Sequence, residues 1–153
     1  EKVDFDRWKI RPYGRFFLTR RGVEKTSVAD RKNVLLLGLA GGVQTQVTKL
    51  HAISTGPELF RDEVLAIEGR RRDIDKEPWV VGWSLAHHFT FGKFDFNQQL
   101  VYYLYKPFAF NDNLFYQRYE MMYYFTSKLQ GGISLLAHGD TAQNIDVRIG
   151  FVF

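Results

Sequence analysis

A chain of 153 residues with a formal charge of +4 suits one domain around one core, here residues 1–153. A hydrophobic content of 45% excludes disorder. Aromatics at 16% against a mean hydropathy of only −0.27 mean that apolar residues are interleaved with polar ones. That argues against a helical membrane protein, in which apolar residues come in blocks: the longest apolar stretch, Val34 to Val43, falls short of the roughly 18–20 residues a spanning helix needs.

No secretory leader is visible, so a secreted protein would be present here in mature form. The absence of cysteine fits a cell-envelope protein without disulfides and fits a cytosolic one equally.

Period-2 patterning divides the chain into strands. The first is Lys9–Thr19, followed by a charged turn over Arg20–Lys32. Asn33–Gln46 and Val47–Leu59 come next, joined through small and polar residues. Phe60–Glu77 is charged and lacks clean alternation; of a short helix and a long extracellular loop, the loop is the reading taken. Pro78–Phe91 and Lys93–Tyr105 follow, joined tightly at Gly92. After a loop marked by Lys106-Pro107 and Asn111-Asp112-Asn113 come Leu114–Phe125 and Leu129–His138. Gly139-Asp140-Thr141 then turns the chain into the eighth strand, Asn144–Phe153.

Eight strands of about 9–11 residues each can cross a bilayer at a tilt and close on themselves. The expected fold is therefore all-β, an eight-stranded antiparallel transmembrane up-and-down barrel with its interior filled by side chains. In the last strand Ile145, Val147, Ile149, Phe151 and Phe153 share one face, while Asp146, Arg148 and Gly150 share the other. A soluble sandwich strand alternates in the same way. An apolar face that runs on to a final Phe, however, resembles the recognition signal of outer-membrane barrels. Aromatic residues agree: Tyr102, Tyr103, Tyr105, Phe108, Phe110, Phe115, Tyr116 and Tyr119 gather around one loop, and Tyr123, Tyr124 and Phe125 close the next strand. Such rings favour the headgroup level, where one side is apolar and the other wet. A soluble, ligand-carrying β-barrel is the minority alternative.

Several segments carry a resemblance. They are GWSLAHHFTFG (Gly82 to Gly92), QLVYYLYKP (Gln99 to Pro107), YQRY (Tyr116 to Tyr119) and the closing GISLLAHGDTAQNIDVRIGFVF (Gly132 to Phe153). From Gly56 onward the chain resembles the PagL-like lipid A deacylases, the acyloxyacyl hydrolase-like group of outer-membrane barrels. The resemblance implies the outer membrane of a Gram-negative bacterium and lipid A of lipopolysaccharide as the lipid met there. It also implies an ester hydrolysis by a Ser nucleophile, a His base and an orienting acid on the outer wall. A neutral hydroxyl attacks an ester only once a positioned imidazole takes its proton.

Carried over by position, His138 takes the place of the His, and Asp146 is the candidate acid. The Ser position holds Asp140, with Thr141 the nearest hydroxyl. The alternation of the last strand turns Asp146 away from the lipid-facing Ile145 and Val147, unless a bulge shifts it. Facing inward beside Arg148, it reads more simply as a lumen ion-pair residue. His138 reads equally as a structural histidine, hydrogen-bonded to Asp146.

Other residues add less. Ser134 lies about 13 Å from His138 along one strand. Ser84 lacks a nucleophile-elbow pattern. His87 and His88 point to opposite faces and form no metal set. Arg70-Arg71-Arg72 could grip lipid phosphates, but with Asp73, Asp75 and Glu77 beside them they read as a solvated loop. No cofactor, metal or nucleic-acid partner is implied. Two functions stay open: a degenerate or inactive lipid A esterase, and a non-catalytic structural or partner-binding subunit of an outer-membrane complex.

Overall fold

The computed structural model describes residues 8–23, 32–107, 113–139 and 141–153. Eight strands follow one another in the chain: β1 (Ile10–Val23), β2 (Lys32–Gln46), β3 (His51–Asp62), β4 (Trp79–Phe91), β5 (Phe94–Tyr105), β6 (Phe115–Tyr124), β7 (Leu129–His138) and β8 (Thr141–Val152). Each pairs antiparallel with its sequence neighbours, and β8 pairs with β1 to close the barrel. The closing seam pairs Tyr13–Leu18 with Val147–Val152, so the sheet has no free edge strand, which is what a wall facing lipid requires.

The expected strands are all present, and all but β7 have shifted ends. β1 runs on to Val23 rather than stopping at Thr19, and β3 starts at His51 and runs to Asp62. The four residues before β3 form a turn in which the Thr48 hydroxyl accepts from the backbone N–H groups of Leu50 and His51. Gly92 takes a positive φ of 62° in the β4–β5 turn, a conformation open to glycine at no steric cost.

Half of the expected 60–77 loop is a helix, α1 (Glu63–Arg71). Asp62 caps it by accepting from the Val64 N–H at 3.0 Å, Glu63 lies in the first turn, and Arg70 and Arg71 lie in the last. These charges match the helix dipole. Nine residues are too few to display a helical period, so the caps were the only sequence signal. The helix sits over the rim opposite the termini and buries Leu65 against Phe17, Leu36, Phe60, Tyr103 and Tyr116.

The wall obeys the period-2 rule. Outward positions such as Leu37, Leu39, Leu85, Leu100, Met121, Ile133, Ile145, Val147 and Ile149 are exposed and apolar. Phe89, Phe91, Phe94, Phe96, Phe125 and Phe153 mark the rim near the termini, and Trp83, Tyr102, Tyr105 and Phe115 the other, as two aromatic girdles. Not every expected ring joins them: Tyr103, Tyr116 and Tyr124 turn inward, and Phe108 and Phe110 lie outside the described residues. No described helix is long and apolar enough to cross a membrane, which bears only on helices.

Inward positions are polar and layered. Below the apolar cluster under α1 lies a layer of charge. Arg15, Arg118 and Arg148 face Glu58, Glu120 and Asp146, each almost fully enclosed. Arg15 bonds Glu120 at 2.6 Å, Arg118 bonds Asp146 at 2.6 Å and also Glu58, and Arg148 bonds Asp146 at 2.8 Å and also Glu120. Three cations against three anions leave the layer neutral, the condition under which buried charge is tolerable. The Arg148 guanidinium also lies 4.2 Å from the Phe17 ring centroid. Tyr13, Tyr124 and Val152 close the end near the termini.

Candidate functional site

His138 is the last residue of β7, at the rim that α1 covers. Tyr103 reaches it from β5, with its hydroxyl 2.6 Å from His138 Nε2 and the two rings stacked at 6.0 Å and 11°. Tyr116 flanks both, 4.9 Å from Tyr103 and 6.0 Å from His138 between ring centroids. His138 is thus an enclosed histidine within an aromatic group. Tyr103 is one of its hydrogen-bond partners, and Asp146, to which the sequence pointed, lies elsewhere in the lumen.

Thr141 is placed by its backbone, directly opposite His138 in the β7–β8 ladder. Asp140 lies outside the described residues. The β7–β8 register shifts between Leu136 and Ala137, because β8 carries one extra residue, Gln143, at that point. The bulge falls between Thr141 and Asp146, so below it the plain alternation of β8 holds and Asp146 faces the lumen, 1% exposed. It pairs with Ser134, four residues before His138, which sets Asp146 about 13 Å below the imidazole by strand rise. There it accepts from Arg118 and Arg148, and the Ser134 hydroxyl lies 3.4 Å away. His138 and Thr141 are brought together by the ladder; Asp146 is not brought to them.

A second constellation was missed in the sequence. Toward the end near the termini, Ser54 Oγ lies 2.8 Å from His88 Nε2, and His88 Nδ1 lies 2.9 Å from Asp95 Oδ2. Hydroxyl, imidazole and carboxylate are connected in the order used by serine hydrolases. Their surroundings differ from a working site. Ser54 is 4% exposed and His88 and Asp95 are 0% exposed, inside a filled lumen. Ser54 also sits in mid-strand, its neighbours engaged in the β2 and β4 ladders, rather than on an exposed elbow. The three residues therefore act as a satisfied buried network that ties β3, β4 and β5 together. Parity in each strand predicts that Ser54 and His88 face inward; only the cross-strand register, which depends on turn lengths, brings them together.

Ser84 and His87 have structural partners. Ser84 donates to the Gly56 carbonyl at 2.9 Å. His87, on the outer wall, lies with its Nε2 3.0 Å from His51 Nδ1. Arg70 and Arg71 form the last turn of α1.

The model of the acyloxyacyl hydrolase C-terminal domain matches residues 8–153, nearly the whole chain. The chain belongs to that PagL-like family. No curated protein matches it. The family and the closed eight-stranded barrel together fit an outer-membrane protein, and a lipid A deacylase-like one. Within this PagL-like barrel the candidate base stays at the rim, while the candidate acid belongs to the charge layer of the lumen.

Proposed function

We propose that this PagL-like barrel resides in the outer membrane of a Gram-negative bacterium as a non-hydrolytic, partner-binding subunit, with lipid A of lipopolysaccharide among the lipids against its wall. The observation that supports this reading is the position of Asp146. Ester attack by a hydroxyl needs an imidazole held in one tautomer by an acid, and mispairing that acid costs serine hydrolases on the order of 10⁴-fold in turnover. Asp146 instead neutralises Arg118 and Arg148, about 13 Å below His138 by strand rise.

The competing reading is a weak esterase with His138 as base and Thr141 as nucleophile, favoured by their pairing across the ladder. Mass spectrometry of lipid A incubated with the purified barrel separates the two. Parent and His138→Ala are both expected to leave the lipid mass unchanged. Loss of one hydroxyacyl chain with the parent, abolished by His138→Ala, would overturn the proposal.

A further inference from the structure

One part of the wall breaks the apolar rule. On β4, β5 and β6 the outward positions His87, Gln98 and Tyr119 are successive partners in the ladders, with Gln117 next to Tyr119 on β6. His51 joins from β3 through its contact with His87. His87 and Gln98 are exposed, and Gln117, Tyr119 and His51 are half-buried.

These polar groups are not at a rim. Phe89 and Phe91 lie between His87 and the β4–β5 turn, and Leu85 and Trp83 lie on its other side. Gln98 likewise stands between Phe96 and Leu100. The stripe therefore crosses the apolar belt between the two aromatic girdles, and a groove of about 400 Å³ lies along it, lined by Ile53, Leu85, His87, Leu100 and Gln117 among others. Acyl chains offer no hydrogen bonds at that depth, and polar groups within a bilayer are costly unless partnered. Tyr119 donates to Gln117 at 3.1 Å, but among the described residues the Gln98 amide has no hydrogen-bond partner.

We infer that the stripe is the contact surface of a symmetric dimer, in which a second copy of this chain packs β4–β6 against β4–β6. Two copies inserted in the same direction are related by a two-fold axis along the membrane normal. Such an axis keeps every residue at its own depth, so the stripe meets itself. The groups suit self-recognition, because the glutamine amides, the imidazoles and the tyrosine hydroxyl each both donate and accept. The flanking Leu85, Phe89, Phe96 and Leu100 supply the surrounding apolar contact. The inference rests on the partner-binding reading above but not on the absence of hydrolysis: a barrel that cleaved lipid A and still dimerised here would sink the first proposal and leave this one standing.

The chain has no cysteine, so Gln98→Cys creates a single thiol. The full chain with this substitution would be placed in lipid vesicles, its fold checked by heat-modifiable gel migration, and treated with a mild oxidant and, separately, with a short bis-maleimide. The control is Leu39→Cys, exposed on β2 on the far wall. The expected result is a covalent species of twice the barrel mass with Gln98→Cys, at least about tenfold stronger than with Leu39→Cys. A band no stronger than the control under both reagents would overturn the inference.

Discussion

Replacing Arg118 by methionine is expected to cost the folded barrel about 3–5 kcal/mol, the range for removing one partner from a buried ion pair. Arg118 holds Asp146 at 2.6 Å and Ser134 at 3.0 Å and also bonds Glu58, and every one of these groups is shut away from water. Methionine restores the volume but leaves two carboxylates with one fewer cation between them. Urea unfolding in detergent, followed through the tryptophan fluorescence, would give the loss directly. Adding Glu58→Gln to Arg118→Met removes one of the stranded charges and is expected to recover part of it. A loss below about 1 kcal/mol for the single variant would mean that water enters the charge layer, since exposed pairs are worth no more than that.

A second large effect is expected at Gly56. A Cβ added there would lie 2.0 Å from the Gly41 carbonyl oxygen and 2.5 Å from the Gly42 Cα, so β2 and β3 approach each other with no room for a side chain. The obstacle is backbone, which cannot swing aside as a long side chain can. Gly56→Ala is therefore expected to lose at least about 3 kcal/mol, the upper end of overpacking costs, or to fail to close the barrel. Gly14 provides the comparison, since nothing lies within 4 Å of its added Cβ. Gly14→Ala is expected to stay within about 0.5 kcal/mol of the parent in the same unfolding experiment. Equal losses for the two would show that the close approach of β2 and β3 is not needed for closure.

These two positions show what could be read in the sequence and what could not. Alternation identified every strand, most cleanly in β7, whose observed bounds are the expected ones, and in β8, where it turned Asp146 inward beside Arg148. Alternation is a property of one strand at a time. It says that Ser54, Glu58, His88, Asp95 and Arg118 face inward, but not which of them meet. That depends on register, and register depends on the lengths of turns and on bulges such as the extra Gln143 in β8. The Ser54–His88–Asp95 network and the Tyr103–His138 contact were hidden for that reason. The helix α1 escaped because its nine residues follow a strand directly and its cap, Asp62, is also the last residue of β3. The polar stripe on the wall was diluted in the same way: each strand contributes only one or two outward polar residues, and only the ladders align them.

In a bilayer, Ile145, Val147 and Ile149 are expected to stand against lipid while Asp146 and Arg148 fill the lumen. Spin-label accessibility along β8 distinguishes the two faces, because each single-cysteine variant of this cysteine-free chain carries one label. In bilayer vesicles, labels at Ile145→Cys, Val147→Cys and Ile149→Cys are expected to collide readily with oxygen and to be shielded from a water-soluble nickel chelate. Ready collision of the chelate with a label at Val147→Cys would place that face in water and rule out a lipid-facing wall.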